Sequence, residues 1–178
     1  NNHHHEYHRN ISHIKLRKLA RRLNSMVYDS DYFEGRNFGF GGYESIICRF
    51  FLKLKFKKAM KLIRQYKSTG RLLDVGCAFG FFVDYASENG FIPVGCDVSD
   101  FAIKRAIEKF PQLKFYECDI QKDVSFLGRF DVITAFDVLE HYMHLENTLK
   151  NVKKILNSDG LFLITVPVFE IRKKQDDV

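Results

Sequence analysis

Long apolar runs are missing from this sequence. A segment that spans a bilayer needs about 20 consecutive apolar residues, and the most apolar stretch here, Gly160 to Ile171, is short and contains Pro167. The sequence also shows no recognisable secretory apolar segment. These absences predict a cytoplasmic protein with no membrane span.

Cysteine is scarce, and no two cysteines form a C-x-x-C pair. The four cysteines are Cys48, Cys77, Cys96 and Cys118, and three of them fall in or beside the strands predicted below. Zinc sites usually show paired cysteine spacings, and disulfides persist mainly in oxidising compartments. We therefore predict buried, reduced thiols and neither a disulfide framework nor a zinc site.

The chain does contain enough apolar material for one core. Of its 178 residues, 46% are hydrophobic and 15% aromatic, so it is long enough for one substantial domain and too short for two ordinary ones. Residues 1–45 are predicted to form an N-terminal extension with a His-rich mobile tail, a helix at Ile11–Leu23 and an aromatic, glycine-rich segment. Residues 46–178 are predicted to form an α/β domain.

Strand and helix patterns alternate along that domain. Apolar runs such as Val132 to Ala135 lack a polar face, as do strands that are buried on both sides of a parallel sheet. The alternation predicts right-handed crossovers and a doubly wound, mostly parallel sheet. The predicted strands are Arg71–Val75, Ile92–Cys96, Leu113–Cys118, Asp131–Ala135 and Leu161–Val166, and the predicted helices are Ser45–Lys67, Phe79–Asn89, Ser99–Phe110 and Leu145–Asn157.

The first strand runs into a small turn between Gly76 and Gly80, and the second ends at Asp97. Such a turn lets backbone N–H groups approach a ligand, and an acid on the neighbouring strand can hold a ribose. The pattern predicts a nucleoside cofactor at the carboxyl ends of strands one, two and four. A dinucleotide fingerprint would have Gly in place of Ala78 and Phe81, so a pyrophosphate-containing cofactor is disfavoured.

The stretch from Leu72 to Gly80 resembles motif I of the class I, Rossmann-like S-adenosylmethionine-dependent methyltransferases. Four further ordered matches extend the resemblance to Pro167. It implies S-adenosyl-L-methionine as cofactor and S-adenosyl-L-homocysteine as product, with Asp74 and the turn at the methionine end, Asp97 on both ribose hydroxyls and Asp119 near the adenine amino group. The cofactor-binding residues that it implies are Asp74, Gly76, Cys77, Ala78, Gly80, Asp97, Val98, Asp119, Ile120 and Phe136.

The match from Phe130 to His141 resembles the fourth strand and the D-x-L-E-H signature that follows it, here Asp137 to His141, in small-molecule methyltransferases, including the ubiquinone-biosynthesis O-methyltransferases. Histidine titrates near neutral pH, so His141 is the predicted base, with Glu140 beside it. The alternative is a structural histidine that bonds to the backbone. These two residues with Asp137 or His144 also resemble a divalent-ion ligand set, but the signature is widespread without metal, and no metal is predicted.

The acceptor is less determined by the sequence. Strand four is not followed by the D/N-P-P-Y/F string of enzymes that methylate nucleobase amines, nor by the Pro-Cys nucleophile of cytosine C5 enzymes. The resemblance therefore favours O- or N-methylation of a small molecule, lipid precursor or sugar-like metabolite. Two alternatives stay open: an RNA or protein methyltransferase that uses the basic upstream helices, and a cofactor-binding module without turnover.

Two upstream segments carry further hypotheses. Tyr28 to Tyr43 predicts an ordered loop, which is either a lid with Tyr32, Arg36 and Tyr43 near the site or an aromatic loop packed on the sheet for stability. The helix at Ser45–Lys67 has a basic surface suited to nucleic acid, anionic lipid or a phosphorylated substrate, although a solvated face is the commoner arrangement.

The fold that the resemblance implies normally continues after strand five with a helix and two strands. Only Val168 to Val178 follow here, so we expect the C-terminal strands to be missing from this chain. Strand five would then be an exposed edge that another chain or segment can pair with. The oligomeric state is left open by the sequence.

Overall fold

The structure is a computed structural model that describes residues 45–166, except for the side chains of residues 46–48. The predicted His-rich tail, the helix at Ile11–Leu23, the lid segment with Tyr32, Arg36 and Tyr43, and residues 167–178 lie outside the described residues. The two-part division of the chain at residue 45 therefore stays a prediction. In the described range, no helix combines the length and apolarity needed to cross a membrane.

Helices and strands alternate as the sequence predicts. The elements are α1 (Ile46–Ile63), β1 (Gly70–Val75), α2 (Phe81–Glu88), β2 (Phe91–Asp97), α3 (Asp100–Lys109), β3 (Lys114–Glu117), β4 (Phe130–Phe136), α4 (Leu145–Ile155) and β5 (Leu156–Thr165). Single turns of 3₁₀ helix lie at Ser125–Leu127 and Leu139–His141. Ser99 caps α3, because its side chain accepts a hydrogen bond from the Ala102 N–H.

The five strands form one parallel sheet in the order β3-β2-β1-β4-β5. The chain builds outward from β1 to β3 and then crosses to β4 on the other side of β1. This change of direction places a topological switch point between β1 and β4, where ligands bind in open α/β sheets. The predicted doubly wound Rossmann-like fold is confirmed.

Helices cover both faces of the sheet. Neighbouring residues of β1 and β4 belong to different hydrophobic clusters of the core. Leu72 and Val132 pack with α1 and α2, whereas Leu73 and Ile133 pack with α4. Successive side chains of a strand point to opposite faces. The clusters therefore identify a three-layer arrangement, with α1, α2 and α3 on one face and α4 on the other.

The largest boundary differences fall at the end of α1 and at the start of β5. The prediction that α1 continues to Lys67 is wrong, since the helix ends at Ile63 and a turn follows. The prediction that α4 continues to Asn157 is also wrong, because Leu156 already pairs with Phe130 in the sheet. The register then jumps, and Val132 pairs with Leu161. The prediction that β5 starts at Leu161 is therefore wrong, since the strand starts at Leu156, and the remaining predicted boundaries agree with the observed ones to within two residues.

The register jump follows from local contacts in the turn around Gly160. The Asn157 amide donates to the Asp131 carboxylate at 2.8 Å, which holds the bulge against the start of β4. A Cβ atom on Gly160 would lie 2.6 Å from Leu156 Cδ1. Glycine is therefore required by this close approach, and the turn is a bulge inside β5.

Candidate functional site

The turn after β1 is held by the acid at the end of β2. The two carboxylate oxygens of Asp97 accept hydrogen bonds from the backbone N–H groups of Ala78 and Ser99, each at 2.9 Å. Asp97 is 9% exposed. The turn between Gly76 and Gly80 and the acid Asp97, which the sequence singles out on neighbouring strands, thus lie together at the carboxyl edge of the sheet.

The turn donates most of its N–H groups to its own protein. Gly76 and Cys77 both donate to the carbonyl of Cys96, at 2.8 and 3.0 Å, and Gly80 donates to the carbonyl of Cys77. A phosphate cradle needs several such groups unpaired and pointing at the ligand. The turn is therefore not arranged as a pyrophosphate cradle, in agreement with the departures from the dinucleotide fingerprint.

Close packing explains the small residues around the turn. A Cβ atom on Gly76 would lie 2.3 Å from Val138, so the segment after β4 rests directly on the turn. A Cβ on Gly95 would lie 2.6 Å from Phe115. Ala78 has φ +47°, a left-handed conformation that alanine adopts at a cost of roughly 1–2 kcal/mol.

Asp74 lies beneath the turn and is almost completely buried, with 3% exposure. The Thr134 hydroxyl on β4 donates to its carboxylate at 2.7 Å. Burial raises the pKa of Asp74 from the usual 3.8 to about 7; the Thr134 hydrogen bond opposes the rise, the Asp97 charge adds to it and Lys55 opposes it. The carboxyl group is therefore half protonated near neutral pH.

Burial also raises the pKa of Asp97, although the backbone N–H groups of Ser99, Ala78 and Val98 favour its ionised form. Removing a carboxylate from water disfavours its charge, and hydrogen bonds to the charged form restore part of the loss. The site thus contains two buried carboxyl groups whose pKa values are both raised.

A lysine from α1 reaches this edge of the sheet. Lys55 Nζ lies 2.5 Å from a carboxylate oxygen of Asp137 and 5.3 Å from the centroid of the Phe136 ring. Asp137 has φ +55° and also accepts a hydrogen bond from the Thr165 hydroxyl at 2.9 Å. Sequence reasoning missed Lys55, because it is one of many lysines on a basic helix and nothing in the pattern separates it from the others.

Glu140 and His141 occupy the 3₁₀ turn after β4. His141 Nε2 lies 3.9 Å from Glu140 Oε1, and the imidazole is about half exposed. Val138 connects this turn to Gly76, which brings the two predicted catalytic side chains to the same edge as the cofactor residues. Within residues 45–166, the structure has no group of three His, Cys, Asp or Glu side chains that would hold a metal ion.

The predicted adenine side of the site lies after β3. Asp119 accepts a hydrogen bond from the Gln121 N–H at 3.0 Å and forms an ion pair with Lys122 at 3.1 Å. Ile120 is 1% exposed and packs in the core with Val124 and Leu127. The adenine contacts of Asp119 and Ile120 therefore remain predictions.

Tyr142 is a further residue that sequence reasoning missed. It packs against the same core as Cys118 and Val138. Burial raises its pKa, and the charges of Asp97 and Asp119 raise it further. The phenol thus lies near both acids that the resemblance assigns to adenosine. The sequence offered a weak signal, because Tyr142 directly follows the D-x-L-E-H stretch.

A family model described as "Methyltransferase domain" matches residues 42–176. The chain belongs to this methyltransferase domain family. The match covers β1 to β5 and thus all of the site described above. It also covers α1, which carries Lys55.

Curated relatives of this methyltransferase domain match it over about half of its length. A ubiquinone biosynthesis O-methyltransferase of Coxiella burnetii is 32% identical over 100 residues, which cover 53% of this chain and 43% of the relative. A protein with the same name from Bradyrhizobium diazoefficiens is 29% identical over 98 residues, 53% of this chain and 39% of the relative. The aligned region spans less than half the length of these relatives.

Solved structures share the fold, and they include two named methyltransferases. The PH0226 protein of Pyrococcus horikoshii matches with a TM-score of 0.61 at 26% identity, over 73% of this chain and 63% of that one. The magnesium protoporphyrin IX methyltransferase of Synechocystis, solved with bound S-adenosylmethionine, has a TM-score of 0.60 at 17% identity, over 77% and 72%. The N-methyltransferase NodS of Bradyrhizobium japonicum, solved with S-adenosyl-L-homocysteine, has a TM-score of 0.58 at 20% identity, over 80% and 70%.

Proposed function

We propose that this protein is an S-adenosylmethionine-dependent methyltransferase that methylates an O or N atom of a small-molecule, lipid-precursor or sugar-like acceptor. One observation carries the proposal. The Asp97 carboxylate lies against the glycine-rich turn, beside the switch point between β1 and β4, where an open α/β sheet binds its ligand.

The charges of the site suit this cofactor better than a phosphate-containing one. Asp74 and Asp97 are buried carboxyl groups with raised pKa values. A cationic ligand beside them would stabilise their ionised forms, and an anionic ligand would destabilise those forms. The turn also keeps most of its N–H groups for internal hydrogen bonds. S-adenosylmethionine carries positive charge and no phosphate, so the donor set and the cofactor are compatible.

Named residues would hold this cofactor. Asp97 has lone pairs left after accepting two backbone hydrogen bonds, and they would accept from the ribose hydroxyls. Val98, Asp119 and Ile120 would lie along the adenine. Lys55 is placed to pair with the methionine carboxylate, because it bonds Asp137 at the carboxyl end of β4 and its charge acts on Asp74.

The protein must then align an acceptor and take a proton from it. When bound, the cofactor supplies a methyl group on a sulfonium, an excellent leaving group, so no further activation of the donor is needed. We propose His141 as the base and Glu140 as its partner. His141 is partly exposed beside the site and lies within 4 Å of the Glu140 carboxylate, so the proposed base and its partner adjoin each other at the acceptor side.

The acceptor class is supported by two observations. The Asp137 to His141 stretch resembles the signature of small-molecule methyltransferases, and it forms the 3₁₀ turn that rests on Gly76. Relatives at about 30% identity are O-methyltransferases of ubiquinone biosynthesis. We therefore favour an oxygen atom over a nitrogen atom as the site of methylation on the small-molecule acceptor.

Calorimetric titration tests the cofactor and the ribose contact together. We expect S-adenosyl-L-homocysteine to bind at roughly micromolar concentrations and NAD to bind far more weakly. Because a hydrogen bond to a carboxylate contributes about 1.5–3 kcal/mol, the 2′-deoxy analogue should bind at least about tenfold more weakly to the parent. In Asp97→Ala, the 2′-deoxy analogue and the unmodified ligand should bind equally well, because the carboxylate that distinguishes them is gone. Asp119 is an acid outside the proposed ribose contact, so Asp119→Ala should still bind the 2′-deoxy analogue more weakly.

Each outcome separates one part of the proposal from the rest. Equal binding of the deoxy analogue to the parent would remove the ribose contact. Preferential binding of NAD would overturn the cofactor. Tight S-adenosyl-L-homocysteine binding without methyl transfer to any small-molecule, RNA or protein fraction of an extract would identify a cofactor-binding module without turnover.

A further inference from the structure

The charge of this protein is concentrated in and just after α1. Between Ile46 and Lys67 the chain has eight basic residues and no acidic one. The other 20 basic residues of the chain are outnumbered by 22 acidic ones. The net charge of +6 is therefore carried by this segment, and the rest of the chain is slightly acidic.

Four of these basic side chains have structural partners. Lys55 pairs with Asp137, Lys67 pairs with Asp159, Arg64 donates to Asn89, and Arg49 lies over the Phe81 ring. The other four, Lys53, Lys57, Lys58 and Lys61, make no ion pair with another described residue. Within residues 45–166, no acidic side chain neutralises these four charges.

Large apolar side chains lie on α1 next to these four lysines. Phe50, Phe51 and Leu54 are 60%, 64% and 44% exposed, whereas Phe56 and Met60, on the inward side of the same helix, are buried in the core. We define the outer face of α1 as Phe50, Phe51, Leu54, Lys57, Lys58 and Lys61. Its first two turns are apolar and its next two are basic, so one surface combines the apolar contact and the positive charge that bind proteins to an anionic membrane surface.

The position of the helix relates this face to the site. Lys55 pairs with Asp137, which lies at the carboxyl end of β4. Lys67 pairs with Asp159, which lies two residues before Leu161, the partner of Val132 near the amino end of β4. The helix therefore runs antiparallel to the strands, and its apolar first turns lie at the carboxyl edge of the sheet. The apolar end of the outer face is the end nearest the candidate site.

We infer that the outer face of α1 docks this protein on the surface of an anionic lipid bilayer. Phe50, Phe51 and Leu54 enter the interface, and Lys57, Lys58 and Lys61 bind the acidic headgroups. Phenylalanines beside lysines also suit base stacking in single-stranded nucleic acid, but the aliphatic Leu54 in the same patch adds nothing to stacking, so the composition favours a bilayer. Docking in this orientation turns the carboxyl edge of the sheet toward the lipid.

Vesicle co-sedimentation tests the inference without relying on catalysis. We expect binding to phosphatidylcholine vesicles that contain phosphatidylglycerol, little binding to phosphatidylcholine alone, and weakening by added salt. Since each basic side chain near an anionic surface contributes about a fivefold factor in affinity, Lys57→Glu/Lys58→Glu/Lys61→Glu should bind at least about 100-fold more weakly. The matched control is Lys150→Glu/Lys153→Glu/Lys154→Glu on α4, across the sheet, which should bind like the parent.

The apolar contribution has its own matched pair. Phe51→Ser should weaken vesicle binding about fivefold, and Phe126→Ser, which removes an equally exposed ring elsewhere, should leave it unchanged. If the Glu triple variant fails to fold by circular dichroism, the corresponding Gln triple variant replaces it.

Three results would overturn the inference: equal binding to both vesicle types, equal loss in the α1 and α4 variants, or vesicle binding that Phe51→Ser does not change. Binding of single-stranded RNA that depends on the α1 lysines, with no vesicle binding, would assign the face to nucleic acid instead. Because none of these measurements uses the cofactor, failure here leaves the proposed methyltransferase activity standing.

Discussion

Replacing Asp74 with asparagine should change how the stability of this protein depends on pH. The folded protein holds the Asp74 proton more tightly than the unfolded chain, because burial raises the pKa from 3.8 to about 7. The unfolded chain loses that proton at lower pH. Between these two values the folded state therefore binds more protons, and the free energy of unfolding falls as the pH rises.

The structure gives the size of the effect. The two pKa values differ by about three, and each pH unit between them corresponds to ~1.4 kcal/mol. Ionised Asp74 should therefore destabilise the parent by about 4 kcal/mol above neutral pH, compared with its protonated form below about pH 4. Asparagine has a similar shape, can still accept the Thr134 hydrogen bond and carries no charge. Its amide N–H groups need new partners, at a cost of about 1–3 kcal/mol that does not vary with pH.

Urea unfolding of the parent and Asp74→Asn near pH 4 and near pH 8 separates these two contributions. Below about pH 4 the variant should be less stable than the parent by the amide cost alone. Between about pH 4 and pH 8 it should gain about 4 kcal/mol relative to the parent. Since other groups titrate in both proteins, the difference between the two curves isolates Asp74. A difference in unfolding free energy that stays constant to within ~0.5 kcal/mol over this range would refute the reasoning.

The same unfolding assay checks three backbone predictions. Gly76→Ala should destabilise the protein by about 3 kcal/mol or prevent folding, because φ is +71° and the new methyl group would collide with Val138; a loss below ~1 kcal/mol would contradict this. Ser99→Ala removes the helix cap and should cost about 1 kcal/mol, and an unchanged midpoint would show that the cap does not stabilise the protein. Ala78→Gly should stay within ~0.5 kcal/mol of the parent, since relief of the left-handed strain offsets the lost methyl burial and the added freedom of the unfolded chain; a loss above ~1.5 kcal/mol would show that Ala78 is unstrained.

The order and type of the described helices and strands follow from hydrophobic patterns that are local in sequence. Runs such as Val132 to Ala135 have no polar face, and only a strand between two helical layers satisfies that pattern. The ends of elements are different, because competing partners decide them. The amide of Asn157 and the backbone of Leu156 bind residues at the start of β4, and nothing near them in sequence identifies those partners.

The candidate site divides in the same way. Asp97 and the turn between Gly76 and Gly80 are recognisable, because the close approach of chain to ligand restricts residue size and charge at fixed spacings. Lys55 could not be predicted. It pairs with Asp137, which lies 82 residues further along the chain. The helical pattern around Lys55 would be the same if its side chain pointed into solvent. Tyr142 is an intermediate case, because it follows a recognised motif but has a position in the core that only the packing defines.

The burial of Asp74 and Asp97 gives the site a preference for positive charge. Lys55 lowers the pKa of Asp74 but is itself paired with Asp137, so burial still dominates and the Asp74 pKa stays near 7. A cationic ligand at the carboxyl edge of the sheet would favour the ionised form of both acids. By linkage, the ligand and the Asp74 proton then compete, and such a ligand binds more tightly as the pH rises through 7. The acids whose ionisation is disfavoured by burial are therefore the groups that would favour a sulfonium over a pyrophosphate.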